Sequence, residues 1–408
     1  MRIIYADPGL AVRAGHHISV CHNLTAQFRA RGIQTTVLGA SNIANDIRAE
    51  CGAEPFFSAS PYFVTDGDPI CGWLTSFFRA ADLSCADFGR IPNIGDNDIL
   101  YLASSHPAHL FGLAQWMAAT QERDRPMAVA DLIFHPGMNL RIENKTEVWS
   151  SVDPRQDARA AFYRYAGLFI NSHSLQKIRF MTSHASFARV YAELLKRKVG
   201  LASMPFTARG ALRNRAGQKP ITIAVLGQQT ETKGYRLMPE VFAQLLQARN
   251  DIRLLVHNSE PRTLPEVQHL MRRMAAVDPR IILNEKALDD TGYKALLDSV
   301  DLALCPYDPT FYRASKSGVV AECIANGIPA IVPADTVLAA QTRQYGSIAA
   351  TFTQFTAPSI LEATLHALDN FDACATAAYT GAEKWAENEG AGQHVETLLR
   401  IASELSPV

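Results

Sequence analysis

Short runs of β-branched and aliphatic residues alternate along the chain with longer stretches whose apolar positions recur every three to four residues, the pattern of an α/β protein with parallel sheets. In the first half RIIYA (2–6), TTVLG (35–39), DILYLAS (98–104), MAVADLIF (127–134) and GLFINS (167–172) are predicted strands. Between the first two, Ile18, Cys21, Leu24 and Phe28 recur at helical spacing and Gly32 is placed to end the helix, so the chain opens on a βαβ unit. A second series follows: ITIAVLG (221–227), a helix over about 235–248, IRLLVH (252–257), RIILN (280–284), VDLALC (300–305) and IPAIVP (328–333). Between the two series TARGALRNRAGQKP (207–220) loses the apolar period and gathers Gly, Arg and Pro, which predicts a linker. The expected architecture is two Rossmann-like domains facing across a cleft, 1–206 and 221–384 joined by 207–220. A helical tail over 385–408, interrupted near Gly390 and Gly392, has a return to the N-terminal domain as one course.

Composition narrows the partners. At 408 residues the chain exceeds one ordinary core, and 39 basic side chains against 40 acidic ones give no footprint for nucleic acid. The opening MRIIYADPGLAVRAGHH reads as a strand and a glycine-bearing loop rather than a secretion signal, and no apolar run reaches membrane-spanning length. Seven cysteines without a CxxC spacing predict neither a disulfide framework nor a zinc site, so a cytoplasmic setting is expected. SFARVYAELLKRKVG (186–200) places Phe187, Val190, Tyr191, Leu194 and Leu195 on one helical face beside Lys196, Arg197 and Lys198. Burial of that face against a sheet is the favoured reading, with peripheral contact to an acidic membrane as the alternative. The HPAH stretch has capping or loop roles for His106 and His109 rather than metal binding, because no acidic partner accompanies the pair.

One carboxylate breaks an otherwise apolar helix. In KSGVVAECIANGIPAIVP (316–333), Ser315 or Ser317 can cap the helix and Gly327 can end it; Val320, Cys323 and Ile324 share one helical face, whereas Glu322 falls four residues after Gly318 on another stripe. Helical side chains lean toward the N-terminus, so Glu322 is aimed at the end where unbonded N–H groups collect and anions bind. With Gly318 leaving those amides open to a phosphate, Glu322 is suited to accept hydrogen bonds from neighbouring hydroxyls such as those of a ribose. A solvated surface helix is the plainer reading. The strand ending at Gly227 and the loop carrying Lys233 place an ammonium at the carboxyl end of the same expected sheet.

These two stretches, VLGQQTETKGYRL and LLDSVDLALCPYDPTFYRASKSGVVAECIANGIPAIVP, resemble the donor domain of family 4 retaining glycosyltransferases with the GT-B fold. The resemblance is clear over about 221–340, fair over 1–40 and faint between. It implies that Gly227, Lys233, Ser317, Gly318, Val319 and Glu322 hold a nucleotide-sugar donor, Lys233 and the amides at the diphosphate and Glu322 at the ribose. It further implies that Gly15 borders phosphate and acceptor, and that His135 touches the donor sugar, with Asp131 as a rival alignment. Two positions depart from the family pattern. Gln228 stands where an arginine is usual, and Ala314 where a first glutamate is usual, with Asp308, Arg313 and Lys316 as candidate replacements.

The implied activity is transfer of a sugar from a nucleoside diphosphate to a saccharide or other acceptor hydroxyl with retention, without a metal or other cofactor, in glycan or polysaccharide biosynthesis. The catalytic candidates are Lys233 and His135, and Gln228 joins the donor-binding set. A nucleotide-sugar epimerase and a binding subunit of impaired activity are the alternatives. An NAD enzyme is disfavoured because no GxGxxG follows a strand.

Overall fold

The computed structural model describes residues 1–13, 16–62, 69–143 and 146–404. The chain forms two compact units: Met1–Val12 with Val20–Pro205 and Ala391–Val408, and Arg13–Ser19 with Phe206–Gly390.

The first unit is built on strands β1 (Arg2–Ala6), β2 (Gln34–Ala40), β3 (Ala53–Phe57), β4 (Asp98–Leu102), β5 (Met127–Asp131), β6 (Met138–Glu143), β7 (Thr146–Ser151), β8 (Ile178–Thr182) and β9 (Val199–Leu201). Seven of them form one sheet in the order β3-β2-β1-β4-β5-β8-β9, every neighbouring pair parallel, while β6 and β7 make a separate antiparallel hairpin. Ile4 of the central strand pairs with Thr36 on one side and Leu100 on the other. Ile3, Ile4, Tyr5 and Ala6 are all fully buried, as a parallel strand covered on both faces requires.

The second unit carries β10 (Ile221–Val225), β11 (Ile252–His257), β12 (Ile281–Asn284), β13 (Leu302–Leu304), β14 (Ala330–Pro333) and β15 (Ile348–Phe352) in the order β12-β11-β10-β13-β14-β15, again all parallel. Both sheets therefore follow the Rossmann arrangement, in which the strand order reverses beside the first strand and opens a crevice at the carboxyl ends. Ile221, Ile223, Val225, Leu254, Val256, Leu302 and Leu304 form the core of this unit.

One predicted strand is a helix. GLFINS closes the helix Arg159–Ser172, whose buried Phe162, Tyr163, Ala166, Gly167 and Ile170 recur at helical spacing. The apolar run was too short to separate the two states, and the preceding turns, together with Gly167 against the Leu195 backbone, decide for helix. In the helix Ala185–Leu195 the residues Phe187, Val190, Tyr191, Leu194 and Leu195 are all buried, so that face is spent within the unit and offers no apolar stripe to a lipid surface. Among the described residues no helix is long and apolar enough to cross a membrane. His106 caps the helix Pro107–Ala119, its Nδ1 accepting from the Ala108 amide.

A buried proton links the C-terminal helix Gly390–Ser403 to the first sheet. The His394 Nδ1–H donates to the Ser203 carbonyl at 2.8 Å, leaving Nε2 of the neutral ring as an acceptor. The Tyr101 hydroxyl lies 2.9 Å from both His394 Nε2 and Asp131 Oδ2, yet has one proton for two acceptors. An ionised Asp131 beside a neutral His394 leaves one of these contacts without a proton, whereas both contacts have one when Asp131 is protonated and donates to Tyr101. Burial pushes the Asp131 carboxyl up to about 7, the Tyr101 hydrogen bond pulling the other way, and pushes His394 down to about 4. Among the described residues Tyr5, Tyr191 and Asp7, all buried, are other titratable neighbours. The folded chain then holds a proton that the unfolded chain releases above 3.8. This stabilisation is present at low pH and is lost as pH rises through about 7. The melting temperature of the wild-type protein is expected to fall by about 2–4 °C per kcal/mol lost between about pH 4 and pH 7, and to level off above that. Asp131→Asn, whose amide donates at any pH, should flatten that dependence.

Candidate functional site

The chain leaves β10 through Leu226 and turns at Gly227, whose φ of +85° only glycine adopts without strain. A Cβ there would lie 3.3 Å from Val319 Cγ2 and 3.5 Å from the Lys233 ammonium, so the strand-end glycine, the lysine and the start of the helix Gly318–Ala325 are immediate neighbours.

The loop between Gly227 and Lys233 is fixed from beneath. Buried Gln229 donates from Nε2 to the carbonyls of Gly227 at 2.9 Å and His257 at 3.1 Å, and its amide donates to Asn258 Oδ1. The His257 Nδ1 accepts from the Gly227 amide and its Nε2–H donates to the Lys286 carbonyl, a pattern that requires the neutral ring. Burial lowers its basicity in the same sense, as does the nearby Lys233 charge. At the far end Gly234, with φ +70°, brings the loop against the Pro306 carbonyl, where a Cβ would stand 2.0 Å away, and the Asp308 amide donates to the Thr232 carbonyl at 2.8 Å.

Lys233 is half-buried, and its ammonium stands 5.7 Å from the ring centre of Tyr307. Among the described residues no carboxylate pairs with it. Burial penalises the charged form and lowers its pKa to about 8.

Ser317 is the helix cap, accepting the Val320 amide, and the amides of Gly318 and Val319 have no intrahelical partner. Glu322 is buried, not solvated. Its Oε1 accepts from Arg209 Nη2 at 2.9 Å and its Oε2 from the Tyr293 hydroxyl at 2.9 Å. Arg209 also pairs with Asp290 and packs over the Tyr293 ring at 5.0 Å, while its amide donates to Asn326 Oδ1. The rest of 207–220 is tied to the same unit: Arg215 is buried and donates to the carbonyls of Val300 and Asn326, and Arg213 pairs with Asp301 at 2.9 Å.

Gly227, Gln228, Lys233, Ser317, Gly318, Val319 and Glu322 line one cavity of about 330 Å³ within the second unit, over the carboxyl ends of β10, β11 and β13 where the strand order reverses. Arg209, His257, Asp289, Asp290, Tyr293 and Lys316 are also in its wall, with Arg13 and His16 from the segment around Gly15. Gly15 itself lies outside the described residues. Of the candidate replacements, Lys316 is in the wall, whereas Asp308 caps the Thr310 amide and neither it nor Arg313 lines the cavity. His135 belongs to the first unit, after β5. Its Nδ1 accepts from the Gly137 amide at 3.2 Å, its ring meets Phe187 edge-on at 5.3 Å, and burial pushes its pKa down to about 4.

The cavity wall thus carries Lys233 and open helix amides together with the fixed carboxylate Glu322.

The fold of the chain is that of GT-B proteins, two Rossmann-like sheets in one polypeptide. No protein-family profile matches the chain and no curated protein matches its sequence. Solved structures do match. A glycosyltransferase of Rickettsia africae is similar over 98% of this chain and 97% of its own, at 12% identity and a TM-score of 0.64. Anabaena Alr3699/HepE, solved in complex with UDP, is similar over 98% of this chain and 100% of its own, at 12% identity and a TM-score of 0.61. A proposed UDP-N-acetylglucosamine 2-epimerase of Listeria monocytogenes is similar over 98% of this chain and 94% of its own, at 13% identity and a TM-score of 0.58.

Proposed function

We propose that the protein is a glycosyltransferase of the family 4 kind, which moves a sugar from a nucleoside diphosphate to an acceptor hydroxyl with retention of anomeric configuration. The observation that carries this reading is the half-buried Lys233, without a carboxylate partner among the described residues, beside Gly227 and the first amides of a helix whose Glu322 is held rigid by Arg209 and Tyr293. Each Glu322 oxygen keeps a lone pair for a ribose hydroxyl after accepting its protein hydrogen bond. The bond between the anomeric carbon and the diphosphate oxygen breaks with its electron pair going to that oxygen. Lys233 and the amides of Gly318 and Val319 stabilise the charge that develops there. The acceptor oxygen bonds to the anomeric carbon on the same face, and its proton passes to the departing phosphate. The reading requires no metal, because those groups carry the leaving-group charge.

At neutral pH the imidazole of His135 is uncharged, and with Nδ1 accepting from Gly137 its proton is on Nε2. Its proposed part is to donate a neutral hydrogen bond to a sugar hydroxyl, not to deliver a proton.

The likeness to the Listeria protein supports an epimerase as the second reading. The test is incubation with UDP-, GDP- and ADP-sugars with and without saccharide acceptors. A transferase releases nucleoside diphosphate in proportion to a new glycoside of retained configuration. Sugar inversion without acceptor establishes the epimerase, and binding without turnover establishes a binding subunit.

A further inference from the structure

This inference rests on the donor reading above and concerns a residue that reading leaves unused. A diphosphate brings at least two negative charges, and phosphate in a partly desolvated site needs charged donors to match them. The cations around the cavity differ in what each already holds. Arg209 is paired with Asp290 and Glu322. Arg13 already has partners. His257 is neutral, its two nitrogens engaged by Gly227 and Lys286. Gln228, next to the strand-end glycine, brings no charge. Lys233 supplies one.

Among the described residues of the wall, the remaining lysine or arginine is Lys316. It lines the same cavity one residue before the helix cap Ser317, is half-buried, and among the described residues has no carboxylate within ion-pair distance. Burial lowers its basicity, and Glu389 offsets only part of that from beyond ion-pair reach, being itself held by the Tyr345 hydroxyl. A lysine brought out of water without an anion is a cost to the fold that a bound anion removes. We infer that Lys316 is the second phosphate-binding cation of this cavity, supplying beside the amides of Gly318 and Val319 the charge that Gln228 does not.

The experiment compares wild type, Lys316→Met and Lys316→Met/Gln228→Arg by calorimetric titration with UDP, GDP and ADP and with the matching monophosphates, alongside thermal unfolding. The expected result is a diphosphate affinity on the order of 10–30-fold lower in Lys316→Met, with a much smaller loss for the monophosphate, an undiminished melting temperature, and recovery in the double variant. Undiminished diphosphate binding in Lys316→Met, or equal losses for mono- and diphosphate, overturns this inference alone. A loss that Gln228→Arg does not restore, or that comes with a lower melting temperature, is structural and overturns it too. If the wild-type protein binds none of these nucleotides, the donor reading and this inference fall together.

Discussion

Replacing Lys233 by methionine is expected to lower nucleoside diphosphate affinity on the order of 100-fold while leaving the melting temperature unchanged or higher. The two effects share one cause. The ammonium is half-buried beside Gly227 and Tyr307 with no carboxylate partner among the described residues, so its charge is costly to the fold, a cost that the phosphate of the proposed donor would offset. A hydrogen bond to a charged group contributes about 1.5–3 kcal/mol, and tenfold in affinity is about 1.4 kcal/mol. Because burial lowers its folded pKa from 10.5 to about 8, the folded chain keeps the charge at neutral pH at a cost that the unfolded chain does not bear, and removing the amine relieves that cost. The wild-type affinity should also decline as pH rises through about 8, where the amine loses its charge, and Lys233→Met should show no such decline. Calorimetry at a series of pH values, with thermal unfolding on the same samples, reads both effects. A variant that binds as tightly as wild type removes Lys233 from the site.

The second large effect is on stability. Arg209→Ala is expected to destabilise the second unit by about 3–5 kcal/mol, because it leaves Glu322 buried with only the Tyr293 hydroxyl. The Arg209–Asp290 pair contributes less, since Asp290 is 52% exposed and water screens it. The double change Arg209→Ala/Glu322→Gln removes the stranded charge and should regain a large part of the loss. A denaturant-unfolding double-mutant cycle measures this, and strict additivity of the two single changes contradicts the pairing.

Much of this arrangement was legible before any coordinates. Strands such as Arg2–Ala6 and Ile252–His257 carry the apolar runs IIYA and LLV, buried on successive positions because both faces of a parallel sheet are covered. The cavity residues from Gly227 to Glu322 lie at strand ends and a helix start, places that punctuation by Gly and Ser marks in the sequence. What could not be read was tertiary. Arg209 looks like part of a polar linker because nothing local shows that it turns back onto the helix Gly318–Ala325. One physical signal did exist: a carboxylate in an apolar helix demands a cation if the helix is buried, and TARGALRNR supplies three. The helix Arg159–Ser172 was hidden by the opposite problem, a short apolar run whose local pattern fits two structures.

The most direct measurement is calorimetric titration of the unaltered protein with UDP, GDP and ADP. Saturable binding of one of them at a single site, lost in Glu322→Ala as well as in Lys233→Met, is the predicted result. No saturable heat with any of the three, under conditions where the protein is folded, would contradict a nucleoside diphosphate site in the cavity.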